Sequence, residues 1–258
     1  MDIKVTGRSL GKVPGQKVTG ELRDVRLGQK GGWLHFASAD CERVDFSKGD
    51  FDFAAVNSTF VDCSFGGVKF RGTNYGSSRA DARQTLFRRC SFDRATMLGL
   101  QSGDNARFEG CSFKGTRIAH WQADHCEFVE CVFAGRISDV RFSGRPFDVE
   151  RDHERNTRFY AQARAKHPTL PPYSELERRH NDFLRNDFRD AELDEVSFEY
   201  GIDIDGQMMP AGPQYLRLDR PRERILRARA IVARWPEDTL RERALFTLQL
   251  LSEPGKAE

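Results

Sequence analysis

The side chains best suited to metal binding or nucleophilic chemistry are concentrated in one stretch, CSFKGTRIAHWQADHCEFVECVF, at residues 111–133. Four residues separate His120 from His125, and four separate Cys126 from Cys131. Imidazole and thiolate groups at such spacings are typical of tetrahedral zinc sites. The same stretch also carries regularly spaced phenylalanines, and this spacing decides between metal binding and structural packing.

Phenylalanines in the first half of the chain recur at intervals of five residues or multiples of five, with slips of one, as at Phe108, Phe113, Phe128 and Phe133. A small or β-branched residue usually stands two positions before each of them. A period of five fits neither an α-helix nor a β-strand. It predicts a solenoid in which two of every five side chains, one small and one large, fill a narrow interior.

Four segments show the pattern most clearly: CSFDR at 90–94, CSFKG at 111–115, CEFVE at 126–130 and AELDE at 191–195. They resemble the pentapeptide-repeat family, whose consensus is A-(D/N)-L-x-x. The resemblance implies a mainly β fold, a right-handed quadrilateral β-helix in which residues one square turn apart stack at about 4.8 Å. Intervals of 19 residues from Phe46 to Phe65 and of 21 from Phe92 to Phe113 predict one-residue slips that preserve the stacking.

This phase places every cysteine except Cys41 at the small inward position, whereas His120 and His125 fall at outward positions. Free cysteine behaves as a small buried hydrophobe. We therefore predict structural thiols, no metal site and no cofactor. The predicted core includes Phe46, Cys63, Phe65, Cys90, Phe92, Phe108, Cys111, Phe113, Cys126, Phe128, Cys131 and Phe133.

Composition predicts how the chain is divided. We expect an N-terminal cap with a first irregular coil at 1–33, the repeat at 34–147 with a Gly/Ser-rich loop at 71–85, a helical insertion at 148–187, a final coil at 188–205 and a C-terminal helical region at 206–258. Within the insertion, Ser174 and Glu177 form a capping box that predicts a helix over about 175–186.

Pro236 separates two predicted helices in the C-terminal region. Each carries one apolar stripe: Ile225, Ala228, Val232 and Trp235 in the first, and Leu240, Ala244, Leu248 and Leu251 in the second. Two uses of these stripes remain open. They pack as a cap on the end of the solenoid, or they form a homodimer interface.

The composition narrows the cellular setting. Net charge is +2, and no apolar run is long enough to span a bilayer. The N-terminal residues lack the apolar segment of a secretory signal, and six cysteines without such a signal indicate a reducing compartment. We expect a cytoplasmic protein, and the preference for Arg over Lys is typical of GC-rich bacterial genomes.

Sequence motifs give no support for catalysis. The segment GRSLG at 7–11 matches a nucleophile elbow, but it lacks the strand and helix that such an elbow requires. No phosphate-binding glycine motif is present in the sequence. We predict that the protein is not an enzyme and that it binds a protein partner, in a process that the sequence does not assign.

Two alternatives follow from charge. Some pentapeptide-repeat proteins resemble DNA and protect DNA gyrase from quinolones or toxins, which requires a strongly negative face. Here acids between 40 and 52 are offset by arginines between 79 and 94. The second alternative is nucleic-acid binding through the C-terminal arginines, although aromatic residues for base stacking are absent there. Those arginines are Arg222, Arg224, Arg227, Arg229 and Arg234.

Overall fold

A computed structural model of the chain describes residues 4–7, 15–27, 30–74, 84–99, 105–146, 149–166, 168, 178, 180–215 and 221–250. This part of the chain contains fifteen β-strands and three α-helices. The strands are β1 (Lys4–Gly7), β2 (Gly15–Arg23), β3 (Lys30–Glu42), β4 (Asp50–Val56), β5 (Thr59–Val61), β6 (Lys69–Asn74), β7 (Thr85–Arg88), β8 (Thr96–Leu98), β9 (Ala106–Glu109), β10 (Ser112–Lys114), β11 (Arg117–Ala123), β12 (Glu127–Val129), β13 (Val132–Ser143), β14 (Phe183–Leu184) and β15 (Asp187–Glu199). The helices are α1 (Val149–Lys166), α2 (Pro221–Val232) and α3 (Thr239–Leu250).

The strands stack in parallel as successive coils of one solenoid, and only β1 pairs antiparallel, with β2. The inward residues at the large position of each repeat align in four columns, one for each side of the coil. The first column contains Cys41, Phe60, Phe87, Phe108, Phe128 and Phe183. The second contains Phe46, Phe65, Phe92, Phe113, Phe133 and Phe188. The third contains Phe51, Phe70, Met97, Ile118 and Ile137, and the fourth contains Trp121 and Val140. The predicted mainly β, four-sided β-helix is confirmed.

Rings of the second column lie face to face. Phe113 is 4.9 Å from Phe92 and 4.8 Å from Phe133, measured between ring centroids, with interplanar angles of 7° and 4°. Phe46 stacks on Phe65 at 4.6 Å across the 19-residue interval. Both one-residue slips therefore leave the stack intact, because the chain takes up the irregularity outside the inward positions.

The structure describes parts of the predicted N-terminal segment and of the predicted loop. Within 1–33, the segment predicted to hold a cap and a first irregular coil, β2 pairs in parallel with β3 and buries Val18 and Leu22. At the predicted loop 71–85, residues 71–74 belong to β6 and Thr85 begins β7, while 75–83 lie outside the described residues.

The helical insertion ends earlier than predicted. α1 covers its first part, but β14 already pairs Phe183 with Phe128, and β15 begins at Asp187. The helix predicted at 175–186 is wrong at its end for this reason, and residues 171–177 lie outside the described part. Phe183 stands five residues before Phe188, and the Glu- and Arg-rich helical pattern in front of it concealed that spacing.

The chain divides into two compact units, one formed by 1–198 with 202–210 and the other by 199–201 with 211–258. The second unit contains α2 and α3, which contact each other. Packing of this hairpin as a cap, or as a dimer interface, stays a prediction. No helix in the described residues combines the length and apolar character needed to cross a bilayer.

Candidate functional site

The cysteines of the opening motif are buried, whereas His120 is exposed and His125 is half-buried. All twelve predicted core residues, among them Cys111, Cys126 and Cys131, have at most 2% of their surface exposed. His120 lies outside, with its side chain 68% exposed and its Nδ1 2.6 Å from the Asp139 carboxylate. The described residues contain no group of three or more His, Cys, Asp or Glu that could hold a metal ion.

Four thiols follow one another along a single inward column: Cys63, Cys90, Cys111 and Cys131. Cys90 donates to the Phe60 carbonyl, Cys111 to that of Phe87 and Cys131 to that of Phe108, each at 3.4 Å. Burial, together with hydrogen bonding between neighbouring thiols, raises the pKa of Cys90 and Cys111 well above the usual value. Such thiols are poor nucleophiles because little thiolate forms.

Cys41 is also buried, although its position in the sequence departs from the small inward phase. It pairs with Phe60 in the first column and so occupies a place that a phenylalanine takes in later coils. Burial is again the main cause that raises its pKa. All six cysteines are therefore interior and free.

One corner of the β-helix carries alternating acids and bases, which we call the acid–base corner. Its members occupy the same turn of successive coils with left-handed backbone angles: Asp24, Arg43, Asp62, Arg89, Gly110, Glu130 and Arg185. Hydrogen bonds from Arg43 and Arg89 lower the pKa of Asp24 and Asp62, respectively. Charge on this corner is thereby neutralised in pairs, a feature that only the coil register makes visible.

A balanced ion network covers the face where the chain returns from its insertion. Arg107 is its centre, with Nε 2.6 Å from Glu109 and a terminal nitrogen 2.8 Å from Glu127 and 2.7 Å from Asp182. Arg178 donates to the main-chain carbonyl of His125, and burial lowers the pKa of its guanidinium.

Within this network burial alone would raise the pKa of Glu109, yet hydrogen bonds from Arg107 and Arg88 lower it overall. Ionised carboxylates held by guanidinium groups are unsuited to act as proton donors or acceptors near neutral pH. The network fastens coils together, and sequence reasoning missed it because its members are far apart in the chain.

The C-terminal arginines are all exposed, as expected of contact residues. At about 100° per residue, Arg222 and Arg229 fall on one side of the Ile225–Ala228–Val232 stripe and Arg224 and Arg227 on the other. Arg234 follows the end of α2. The structure therefore does not bring the five guanidinium groups together on one face of the helix.

The apolar stripe of α3 also differs from the predicted one. Leu240 is 64% exposed, whereas Arg241, Ala244, Leu245 and Leu248 are half-buried. Leu251 lies outside the described residues. Large apolar side chains are exposed on both helices and their turn, at Leu226, Ile231, Trp235, Leu240, Phe246 and Leu250.

No protein-family model matches the sequence, and no curated protein matches it. Among solved structures, HetL, a pentapeptide repeat protein involved in heterocyst differentiation regulation from the cyanobacterium Nostoc sp. strain PCC 7120, is 10% identical, with a TM-score of 0.26 and coverage of 77% of this chain and 92% of HetL. QnrB1, a plasmid-mediated fluoroquinolone resistance protein, is 15% identical, with a TM-score of 0.19 and coverage of 82% and 97%. At these identities and TM-scores the likeness carries no argument about function.

The geometry of the chain itself identifies its architecture. Inward side chains recur every five residues, and successive coils stack them in register along four columns. The chain therefore has the fold of the pentapeptide-repeat proteins, a four-sided parallel β-helix.

Proposed function

We propose that this protein is a non-catalytic scaffold whose β-helix presents a rigid outer surface to a protein partner. The proposal rests on the difference between the inward and the outward side chains of the β-helix. Inward positions are filled by apolar packing, and most outward arginines of the β-helix are held by acids of the same or a neighbouring coil. Such a surface is preorganised, which reduces the entropic cost of binding.

A cytoplasmic location fits this proposal. All six cysteines are free, and unpaired thiols are typical of proteins in reducing compartments. The process in which the partner acts is left to experiment.

Affinity capture from the native host tests the proposal directly. The bait is the full chain, compared with the variant R227Q/R229Q/R234Q, which loses three exposed arginines of the C-terminal unit. We expect one protein to be enriched by both baits, since the solenoid is intact in each. Absence of any enriched protein, or enrichment that disappears after nuclease treatment, contradicts the proposal.

Self-association is a second candidate, favoured by the C-terminal hairpin. α3 has no buried residue, and the hairpin exposes Phe246 at 61% and Leu226 at 66% of their surface. Exposed apolar side chains in such number mark interaction sites. Light scattering across a range of concentrations should show a dimer that Phe246→Asp dissociates, and a monomer at every concentration would exclude it.

Gyrase protection by DNA mimicry is less well supported by the charge distribution. Mimicry needs continuous negative charge along the rod, but acids and bases alternate along the acid–base corner, interrupted at Gly110. We expect no protection of gyrase supercoiling in the presence of a quinolone. Dose-dependent protection by this protein would overturn that expectation and make mimicry the leading function.

A further inference from the structure

The corner between the second and third columns carries basic side chains whose environment differs from that of the other basic residues on the β-helix. Corner positions of successive coils are Lys48, Gly67, Arg94 and Gly115, linked by main-chain hydrogen bonds between coils. Beside them, Lys69 aligns through Thr96 with Arg117, and Lys114 precedes Gly115. We call the five exposed cations the basic strip: Lys48, Lys69, Arg94, Lys114 and Arg117.

The basic strip is distinguished by its lack of ion pairs. None of its five members lies within 4.0 Å of a carboxylate oxygen among the residues that the structure describes. Elsewhere on the β-helix the described arginines are mostly paired, including Arg23, Arg26, Arg43, Arg88, Arg89, Arg107, Arg136, Arg141, Arg185 and Arg189. Cations without a counterion in the described part of the chain are available to an outside ligand.

Nearby acids do not cancel the basic strip. Asp93 accepts hydrogen bonds from the Ser112 hydroxyl at 2.6 Å and the Lys114 amide at 2.8 Å. Asp50 lies in register with Lys69 at the edge of the strip. Lys48 and Lys114 act through space on Asp45 and Asp187, whose pKa values are lowered mainly by hydrogen bonds. Asp45 and Asp187 are each paired with an arginine outside the strip, Arg26 and Arg189. Five bases against the remaining Asp50 and Asp93 leave the corner positive.

Glycines at two corner positions leave no side chain between these cations. A Cβ built at Gly67 would meet no atom within 4 Å, and its φ of +67° is one that glycine adopts without strain. One at Gly115 would meet the Arg94 side chain at 3.5 Å. The Arg94 side chain therefore stands between two positions without side chains, where an extended backbone can approach the corner closely.

The dimensions and composition favour an acidic polypeptide over a nucleic acid. Lys48 and Lys114 are three coils apart, which is about 14 Å, and side chains on one face of an extended peptide repeat at about 7 Å. Three acidic side chains therefore fit along the strip. Nucleic-acid binders have strongly basic surfaces and, for single strands, stacking aromatics, whereas this chain has a net charge of only +2 and no aromatic residue among the outward positions of the strip.

We propose that the basic strip is the contact surface for an acidic segment of the protein partner, an inference that rests on the function proposed above. Carboxylates of that segment form ion pairs with Lys69, Arg94 and Arg117, while its backbone passes over the glycine positions. Binding is accordingly weakened by salt.

A labelled peptide of alternating Glu and Ser provides the probe, followed by fluorescence anisotropy at about 50 and 200 mM salt. The test variant is K69Q/R94Q/R117Q, and R227Q/R229Q/R234Q is the matched control with the same change in net charge. We expect the test variant to weaken peptide binding by at least about tenfold, because it loses three ion pairs with the peptide. The control should change it by less than about twofold.

Several outcomes would overturn the proposal. Equal losses in the two variants would mean that only net charge matters, and tighter binding of a short DNA duplex than of the peptide would identify a nucleic-acid surface. Circular dichroism and thermal unfolding verify that both variants are folded. If a partner captured from the host binds K69Q/R94Q/R117Q unchanged, the strip proposal is wrong while the scaffold function stands. If the peptide binds at the strip but no host protein is captured, the acidic preference stands and the scaffold function fails.

Discussion

Phe113 shows at the scale of one residue how the interior is held together. Its ring lies between those of Phe92 and Phe133, almost parallel to both, and its exposed fraction is 1%. Truncation leaves a cavity that the stacked coils have little freedom to close. We expect Phe113→Ala to lower the free energy of unfolding by about 3–5 kcal/mol, measured by urea denaturation. Leu184→Ala, at an exposed position of the β-helix, is the control, and a similar loss for both would contradict the stacking argument.

The buried thiols predict how stability depends on pH. Burial and thiol–thiol hydrogen bonds raise the pKa of Cys90 and Cys111 in the folded state, while in the unfolded chain cysteine has a pKa of about 8.5. Above that pH the unfolded state releases protons that the folded state retains, so stability is full below it and falls as pH rises. Urea midpoints should decline from about pH 8 to 9.5.

The double variant Cys90→Ala/Cys111→Ala separates this effect from other alkaline transitions. Alanine suits the small inward position, so we expect the variant to fold and its urea midpoint to decline less over the same range. A decline as steep as that of the natural sequence would show that the thiols do not cause it.

At the scale of the elements, the acid–base corner joins coils that are distant in sequence. Arg185, which follows β14, donates to Glu130, which follows β12, at 3.0 and 2.6 Å. Gly110 occupies the preceding corner position, so this pair has no charged neighbour on that side. The pair therefore helps to fix where the chain rejoins the β-helix after its insertion.

Charge reversal tests this corner contact. Glu130→Arg places two guanidinium groups in successive coils, and we expect a lower Tm that added salt partly restores, because salt screens the repulsion. The double variant Glu130→Arg/Arg185→Glu restores the attraction and should recover most of the loss. A double variant no more stable than the single one would show that the pair contributes nothing.

The returning segment also carries polar side chains that replace missing main-chain partners. Asn186, fully buried, accepts from the Cys131 amide and donates to the Phe128 carbonyl, both at 3.0 Å. Asn181 donates to the Asp124 and Ser143 carbonyls, both at 2.8 Å. Buried main-chain groups left without partners are costly. These two asparagines therefore favour the one path by which the chain returns to the β-helix with those groups hydrogen-bonded.

At the scale of the whole molecule, the β-helix closes its own C-terminal end. Gln207 accepts from the Asn186 amide at 2.8 Å and donates to the Phe183 carbonyl at 3.0 Å. It thus continues the inward column of thiols and asparagine as a polar cap. Met209 packs against the core from the same segment. The first compact unit accordingly includes 202–210 in addition to 1–198.

Two truncations test this boundary. A chain ending at Pro210 should retain its β-type circular dichroism and cooperative unfolding, because it keeps the polar cap. A chain ending at Gly201 loses Gln207 and Met209, and we expect a markedly lower Tm or aggregation of the exposed coil end. Equal stability of the two truncated chains would show that the cap is dispensable.

The sequence by itself determined the interior. A large residue occurs every five positions, with a small one two places before it, and this pattern defines which side chains face inward. The spacing of Phe108, Phe113, Phe128 and Phe133 shows the period of the coil directly. For the same reason the C-x₄-C and H-x₄-H spacings were recognised as consequences of the period. The ends of the solenoid were less predictable, since the returning coil at Phe183 follows a segment with helical composition.

Only the tertiary structure decided the outer surface. Whether Arg89 meets Asp62, or Arg107 meets Glu127, depends on how many residues each coil and each loop contains, and the irregular intervals shift that register from coil to coil. That Lys69 and Arg94 have no carboxylate partner among the described residues is visible only once all these pairings are known. Inward packing is a local property of the repeat, whereas outward charge pairing is a property of residues that meet because the chain winds.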